Sequence, residues 1–132
     1  MTLAHAAEIF AVVNFTVVGL SHIAQPRAWA EFFIHLRSLG HTGVFVNAML
    51  SLLVGSIIVA LHNDWHGAGA IVTFIGWAQV LKGTISLTLP SVGMRGLMRV
   101  SLDRAWEFQA AGAVFLLVSA FVAWGWLTDV SA

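Results

Sequence analysis

Residues 42–61 read TGVFVNAMLSLLVGSIIVAL, twenty positions without one charged side chain. A bilayer core takes about 20 residues of helix, so this stretch reads as a transmembrane span. A strand reading fails, because no period-two alternation runs through it and barrel strands are far shorter. Three more stretches of the same character flank it. They cover residues 6–24, residues 67–89 with Lys82 as their one charge, and residues 106–127 with Glu107 at the edge. No Lys or Arg precedes the first stretch, and no convincing Ala-x-Ala site ends it. It therefore reads as a span rather than a cleaved signal peptide.

Composition agrees. Of 132 residues, 59% are apolar and 9% charged, and the mean hydropathy is +0.89. Soluble domains carry roughly 25% charged residues, so an ordinary cytosolic enzyme is excluded. Net charge is zero, which argues against nucleic acid as a partner. There is no cysteine, hence no disulfide framework and no covalent c-type haem. The expected fold is all-α: one domain over residues 1–132, an integral-membrane bundle of four transmembrane helices.

The basic residues set an expected orientation. Arg27 and Arg37 lie between spans one and two, and Arg95, Arg99 and Arg104 between spans three and four. The N-terminus, the His62–His66 turn and the C-terminus carry Glu8, Asp64 and Asp129 and no Lys or Arg. The positive-inside rule then places both basic connections in the cytoplasm and both termini outside, in the inner membrane. Trp29 and Trp106 fall at the inner interface; Trp65, Trp124 and Trp126 fall at the outer one.

The halves share residues at an offset of 64. Gly19 and Pro26 match Gly83 and Pro90, Phe10 matches Phe74, and Leu52-Leu-Val54 matches Leu116-Leu-Val118. Two readings stand: coincidence, or a tandem duplication of a two-helix unit (6–61 and 70–125) about an axis along the membrane normal. Each proline disfavours helix at the residue before it, so each span should stop or kink there. Residues 27–39 should then lie along the membrane surface. Trp29, Phe32, Phe33 and Leu36 would sit in the headgroup zone, with Arg27, Glu31 and Arg37 facing water.

Gly19 to Pro26 followed by Arg27-Ala-Trp29 resembles a pattern in very short two-span members of small, uncharacterised bacterial inner-membrane proteins. His62-Asn-Asp-Trp65, followed by Ile75-Gly-Trp77 and Leu81-Lys-Gly83, is similar to four-span members. The resemblance implies a multi-span bacterial inner-membrane protein. It implies no activity and supplies no catalytic residue.

Small and polar residues mark helix contacts in lipid. Span three offers Gly76, Gln79, Gly83 and Ser86; span two Asn47, Ser51 and Gly55; span one Ala7, Ala11 and Asn14; span four Gln109, Gly112 and Ser119. These faces suit close packing, or a polar interior. Lys82 is the most unusual residue, since a lysine at a span centre costs roughly 2.5–3.5 kcal/mol on insertion scales. Glu107 enters from the same side and is its expected counter-ion. The leading expectation is an oligomeric transport or channel-like protein whose polar interior includes Lys82, Glu107, Gln79, Asn14 and Asn47. A non-catalytic accessory or assembly subunit of a larger membrane complex is the competing class.

The third class is a membrane redox protein. His62 and His66 have the i,i+4 spacing that puts two imidazoles on one helical face. With His5 or a carboxylate they would hold a divalent metal; haem between two histidines is the other cofactor reading. Asn63-Asp64 and Gly67 read equally well as a turn. Enzyme signatures are absent: no serine elbow, Walker loop, dinucleotide glycine fingerprint or HExxH. A membrane transferase with Arg, Glu and His at the inner interface is the only enzyme reading left.

Overall fold

The structure is a computed structural model that describes residues 1–130; the side chains of Asp129 and Val130 lie outside the described residues, so the placement of Asp129 rests on sequence. Six α-helices and no strand occur among the described residues: α1 (Leu3–Ala24), α2 (Pro26–Ser38), α3 (His41–Leu61), α4 (Gly69–Thr88), α5 (Pro90–Met98) and α6 (Trp106–Val130). Four of them, α1, α3, α4 and α6, are long and apolar enough to cross a membrane; the fourth apolar segment, Leu102–Thr128, takes in a short 3-10 turn before α6.

Local chemistry fixes the helix ends. The Thr2 hydroxyl accepts the His5 N–H at 3.1 Å and caps α1. Helix α1 ends at Ala24 and α4 at Thr88, two residues short of a proline in each case. Pro26 and Pro90 then open α2 and α5 at the first helical position, where a missing N–H costs nothing. Between α2 and α3 the chain turns at Gly40, whose φ is +62°.

Helix α1 lies along α6, and α3 along α4. The two pairs meet in the half nearest the N-terminus and the 62–68 loop, here termed the loop end. Ala11, Phe15, Ile58, Val72, Val118 and Val122 form the core there. At the opposite, connector end, α2 and α5 pack against each other and α3, around Leu36, Val44 and Leu97.

Both pairs rest on close backbone approach. A Cβ built at Gly19 would lie 2.9 Å from the Gly112 carbonyl oxygen and 3.2 Å from Leu116. A Cβ built at Gly83 would lie 2.8 Å from the Ala48 carbonyl oxygen and 2.9 Å from Leu52. Each residue of the first set stands 64 positions from its counterpart in the second. A third contact repeats the offset. Gly55 packs on the Gly76 carbonyl, and the Ser119 hydroxyl donates to the Val12 carbonyl at 3.4 Å.

Helix α2 also packs inward. Ala30 and Leu36 are buried and Phe33 packs on the connector-end core, while Arg27, Glu31 and Phe32 stay exposed. Trp29 reaches back along α1, donating to the Ser21 hydroxyl at 2.9 Å. Arg37 is half-buried and turns onto α5. Its guanidinium donates to the Val100 carbonyl at 3.0 Å and to those of Leu97 and Met98 at 3.5 Å. Those carbonyls close the C-terminus of α5, where a cation suits the helix dipole.

Candidate functional site

A cavity of about 470 Å³ opens at the connector end among α2, α3, α4, α5 and α6. Lys82 of α4, Asn47 of α3 and Ser86 of α4 supply its polar groups. Phe33, Leu97 and Phe108 supply apolar walls, and the Phe33 and Phe108 rings stack with centroids 5.6 Å apart. Glycine shapes the cavity's rim: a Cβ at Gly93 would lie 2.6 Å from Val44 and 3.1 Å from Ser86. Lys82 stands six residues before the end of α4, roughly 9 Å along the axis at 1.5 Å per residue. It forms no ion pair among the described residues.

The expected Lys82–Glu107 pair is therefore not formed. Glu107 is held by Arg104, whose Nε donates to Oε1 at 2.8 Å with a second bond from the same guanidinium. Spacing explains the outcome, because Arg104 stands three residues before Glu107 on one turn. The other residues expected in one polar interior are dispersed. Asn47 joins Lys82 at the cavity. Asn14 donates to the Phe10 carbonyl of its own helix at 2.9 Å. Gln79 packs against Gly55 in the α3–α4 contact.

A second polar cluster closes the loop end. His62 follows the last residue of α3 and is 1% exposed. Its Nδ1 lies 2.8 Å from the Thr73 hydroxyl and its Nε2 lies 3.0 Å from Glu8 Oε1. Thr73 donates to the Asp64 carbonyl at 2.6 Å, and Trp126 Nε1 donates to Glu8 Oε2 at 2.7 Å. His5 approaches Glu8 Oε2 at 3.6 Å and meets the Trp126 ring edge-on. The cluster thus ties α1, α4 and α6 to the end of α3. Of its members, sequence reading singled out His5 and His62 but missed the roles of Glu8, Thr73 and Trp126.

His66 does not join it. The helix ends at Leu61, so the i,i+4 geometry expected of His62 and His66 is not realised. His66 instead turns outward and donates through Nδ1 to Asp64 at 2.8 Å. That bond, and a second from the His66 backbone, hold the Asp64 carboxyl below its ordinary value. Among the described residues no group of three metal-ligating side chains converges.

His22 of α1 is buried at the connector half. Its Nδ1 donates to the Val18 carbonyl at 2.7 Å, and its ring stacks on Trp29 at 4.2 Å. Phe108 and Phe115 close around it at 5.6 Å. The chain matches no family model, no curated protein and no solved structure, so the reading of these sites rests on their residues.

Proposed function

We propose that this chain is a small bacterial inner-membrane protein that binds an anionic amphiphile at Lys82, in the inner leaflet. The carrying observation is a lysine without a carboxylate partner at the wall of a largely apolar cavity. A lone ammonium at this depth is expensive unless something neutralises it. A ligand that brings a negative headgroup and an apolar tail meets both halves of the site. Asn47 and Ser86 add neutral donors, and 470 Å³ falls within the usual range for small ligands.

The wider architecture follows in the same reading. The four long helices form a transmembrane bundle, and the 64-residue recurrence of close contacts supports a tandem duplication of residues 6–61 and 70–125. All six Lys and Arg side chains belong to the connector half, alongside Glu31, Asp103 and Glu107. Glu8, Asp64 and Asp129 belong to the loop end. That asymmetry supports a cytoplasmic connector end with both termini outside. The apolar loop-end core and the stacked Phe15 and Phe115 rings, 5.7 Å apart, separate the cavity from the loop-end polar cluster. A continuous polar path through a single chain is disfavoured on that ground. Transport then requires an oligomer or a larger complex.

Orientation is checked with single cysteines at Ser38 and His66. In intact cells an impermeant thiol reagent should label position 66 and not position 38. Labelling of position 38 alone would reverse the topology and move the site to the outer leaflet.

Binding is checked by native mass spectrometry from vesicles holding equal phosphatidylglycerol and phosphatidylcholine. The protein should retain the anionic lipid preferentially, and Lys82→Met should lose that preference by about five- to tenfold, since a basic residue near the surface contributes on the order of 1 kcal/mol. Lys82→Met should melt no lower than the parent protein, because it removes a charge from the span. Free inorganic phosphate competing as well as lipid would mark a simple anion site. Equal retention of both lipids by both proteins would leave the accessory-subunit reading in its place.

A further inference from the structure

The loop-end cluster permits a count of its protons. The Asp64 backbone carbonyl can only accept, so the Thr73 hydroxyl, 2.6 Å away, must donate its one hydrogen there. Thr73 then has only lone pairs to offer His62, and at 2.8 Å the facing Nδ1 must carry a hydrogen. That assigns the tautomer. A neutral imidazole with its hydrogen on Nδ1 has a bare lone pair on Nε2. Glu8 Oε1 lies 3.0 Å from that nitrogen. If Glu8 were ionised and Nε2 bare, two acceptors would face each other in a buried site, which is costly. One more proton must lie between them, on Nε2 or on the carboxyl.

We propose that Glu8 and His62 form a proton-binding site, holding one proton more than a neutral imidazole beside a carboxylate. The ligand is the proton itself, and the site is separate from the Lys82 cavity. With that proton the pair is neutral overall, as imidazolium with carboxylate or as imidazole with carboxylic acid. Without it, repulsion across the 3.0 Å contact pushes α1 away from the end of α3. The proton therefore latches the loop end shut.

The surroundings leave few competing groups. From α1, His5 approaches the other carboxylate oxygen at 3.6 Å. From the loop, Asp64 contributes its carbonyl while its carboxylate is engaged by His66. Helix α4 presents Thr73, and α6 presents Trp126, which donates to Oε2. Gly69 lets the start of α4 lie close against the pair, since a Cβ there would sit 2.9 Å from Oε1 and 3.0 Å from Nε2. Glu8 also lines a cavity of about 350 Å³ together with Asp64 and His66, which gives a route for proton exchange with the aqueous phase.

The test uses the full chain in nanodiscs with ¹⁵N-labelled histidine, the His62 signals being identified by their loss in His62→Gln. Nδ1 of His62 should be protonated, with either a proton on Nε2 or a carboxylic-acid infrared band that Glu8→Gln removes. Melting temperature should fall as pH is raised and that proton leaves, because the folded state then binds more protons than the unfolded one. In Glu8→Gln the amide donates to Nε2 without ionising, so this component of the fall should vanish while the fold is kept. Thr73→Val is the sharper variant. It frees Nδ1 from donating, lets the hydrogen move to Nε2 facing an ionised Glu8, and should abolish the extra proton with both titratable groups present. A bare Nδ1 in the parent protein would overturn the proposal, as would Nδ1–H beside an ionised Glu8 with Nε2 unprotonated. A parent pH profile unchanged in both variants would overturn the latch.

Discussion

Gly43→Ala should unfold the connector end, lowering stability by on the order of 3 kcal/mol or more, the upper part of the range for overpacking. A Cβ at Gly43 would lie 1.7 Å from the Leu36 carbonyl oxygen and 2.5 Å from its carbon. Both are backbone atoms, so no side chain can swing aside. The first turn of α3 packs directly on the last turn of α2, and Gly43 is what allows it. To admit a methyl group α2 must lift, and α2 carries Phe33 into the Lys82 cavity and Arg37 onto the end of α5. Thermal unfolding in mild detergent should therefore drop steeply, and the anionic-lipid preference should fall with it. Gly96→Ala is the internal comparison. Nothing lies within 4 Å of its added Cβ, and alanine is the better helix former by up to about 1 kcal/mol. If Gly43→Ala melts no lower than Gly96→Ala, the α2–α3 contact is not as close as described.

The coarse architecture was legible because bilayer physics acts on single residues and short windows. Twenty uncharged positions, two prolines and five arginines in two segments are visible without knowing what touches what. Helix ends at Ala24 and Thr88 follow directly from Pro26 and Pro90. Contacts were a different matter. A shared side of the membrane points Glu107 to Lys82, but Arg104, one turn away, holds it. The i,i+3 rule could have found that pair from sequence. A charge beside a span ordinarily reads as solvated; that Arg37 closes α5 depends on where residues 97–100 return.

The loop-end cluster lay further out of reach. His62 and Glu8 are 54 positions apart, and Trp126 lies 118 from Glu8. A glutamate near a helix start reads as an ordinary solvated end, and a tryptophan near a span end reads as interfacial belt. Only the meeting of α1, α4 and α6 makes them partners. The histidine spacing pointed the wrong way for a local reason. An i,i+4 pair shares a face only inside a helix, and this one stops at Leu61, with His62 already extended.

Gly19→Val and Gly83→Val should each destabilise the protein by about 1–3 kcal/mol, and by similar amounts. Helix pairing in lipid depends on packing and close approach rather than on water exclusion, so small residues at the crossing count for more. At Gly83 the new side chain meets the Ala48 carbonyl and Leu52; at Gly19 it meets the Gly112 carbonyl and Leu116. These are the same two contacts displaced by 64 residues, one in the α3–α4 pair and one in the α1–α6 pair. The two sites share no contacting residue, so the double variant should lose roughly the sum of the single losses. If the halves descend from one two-helix unit, the equivalence extends to response, and each variant should loosen its own pair. Hydrogen exchange would then rise in α3 and α4 for Gly83→Val, and in α1 and α6 for Gly19→Val. A Gly19 substitution tolerated without loss, beside a Gly83 substitution that unfolds the protein, would break the equivalence. The matched glycines and prolines would then be two unrelated solutions to packing helices in lipid and ending them at its surface.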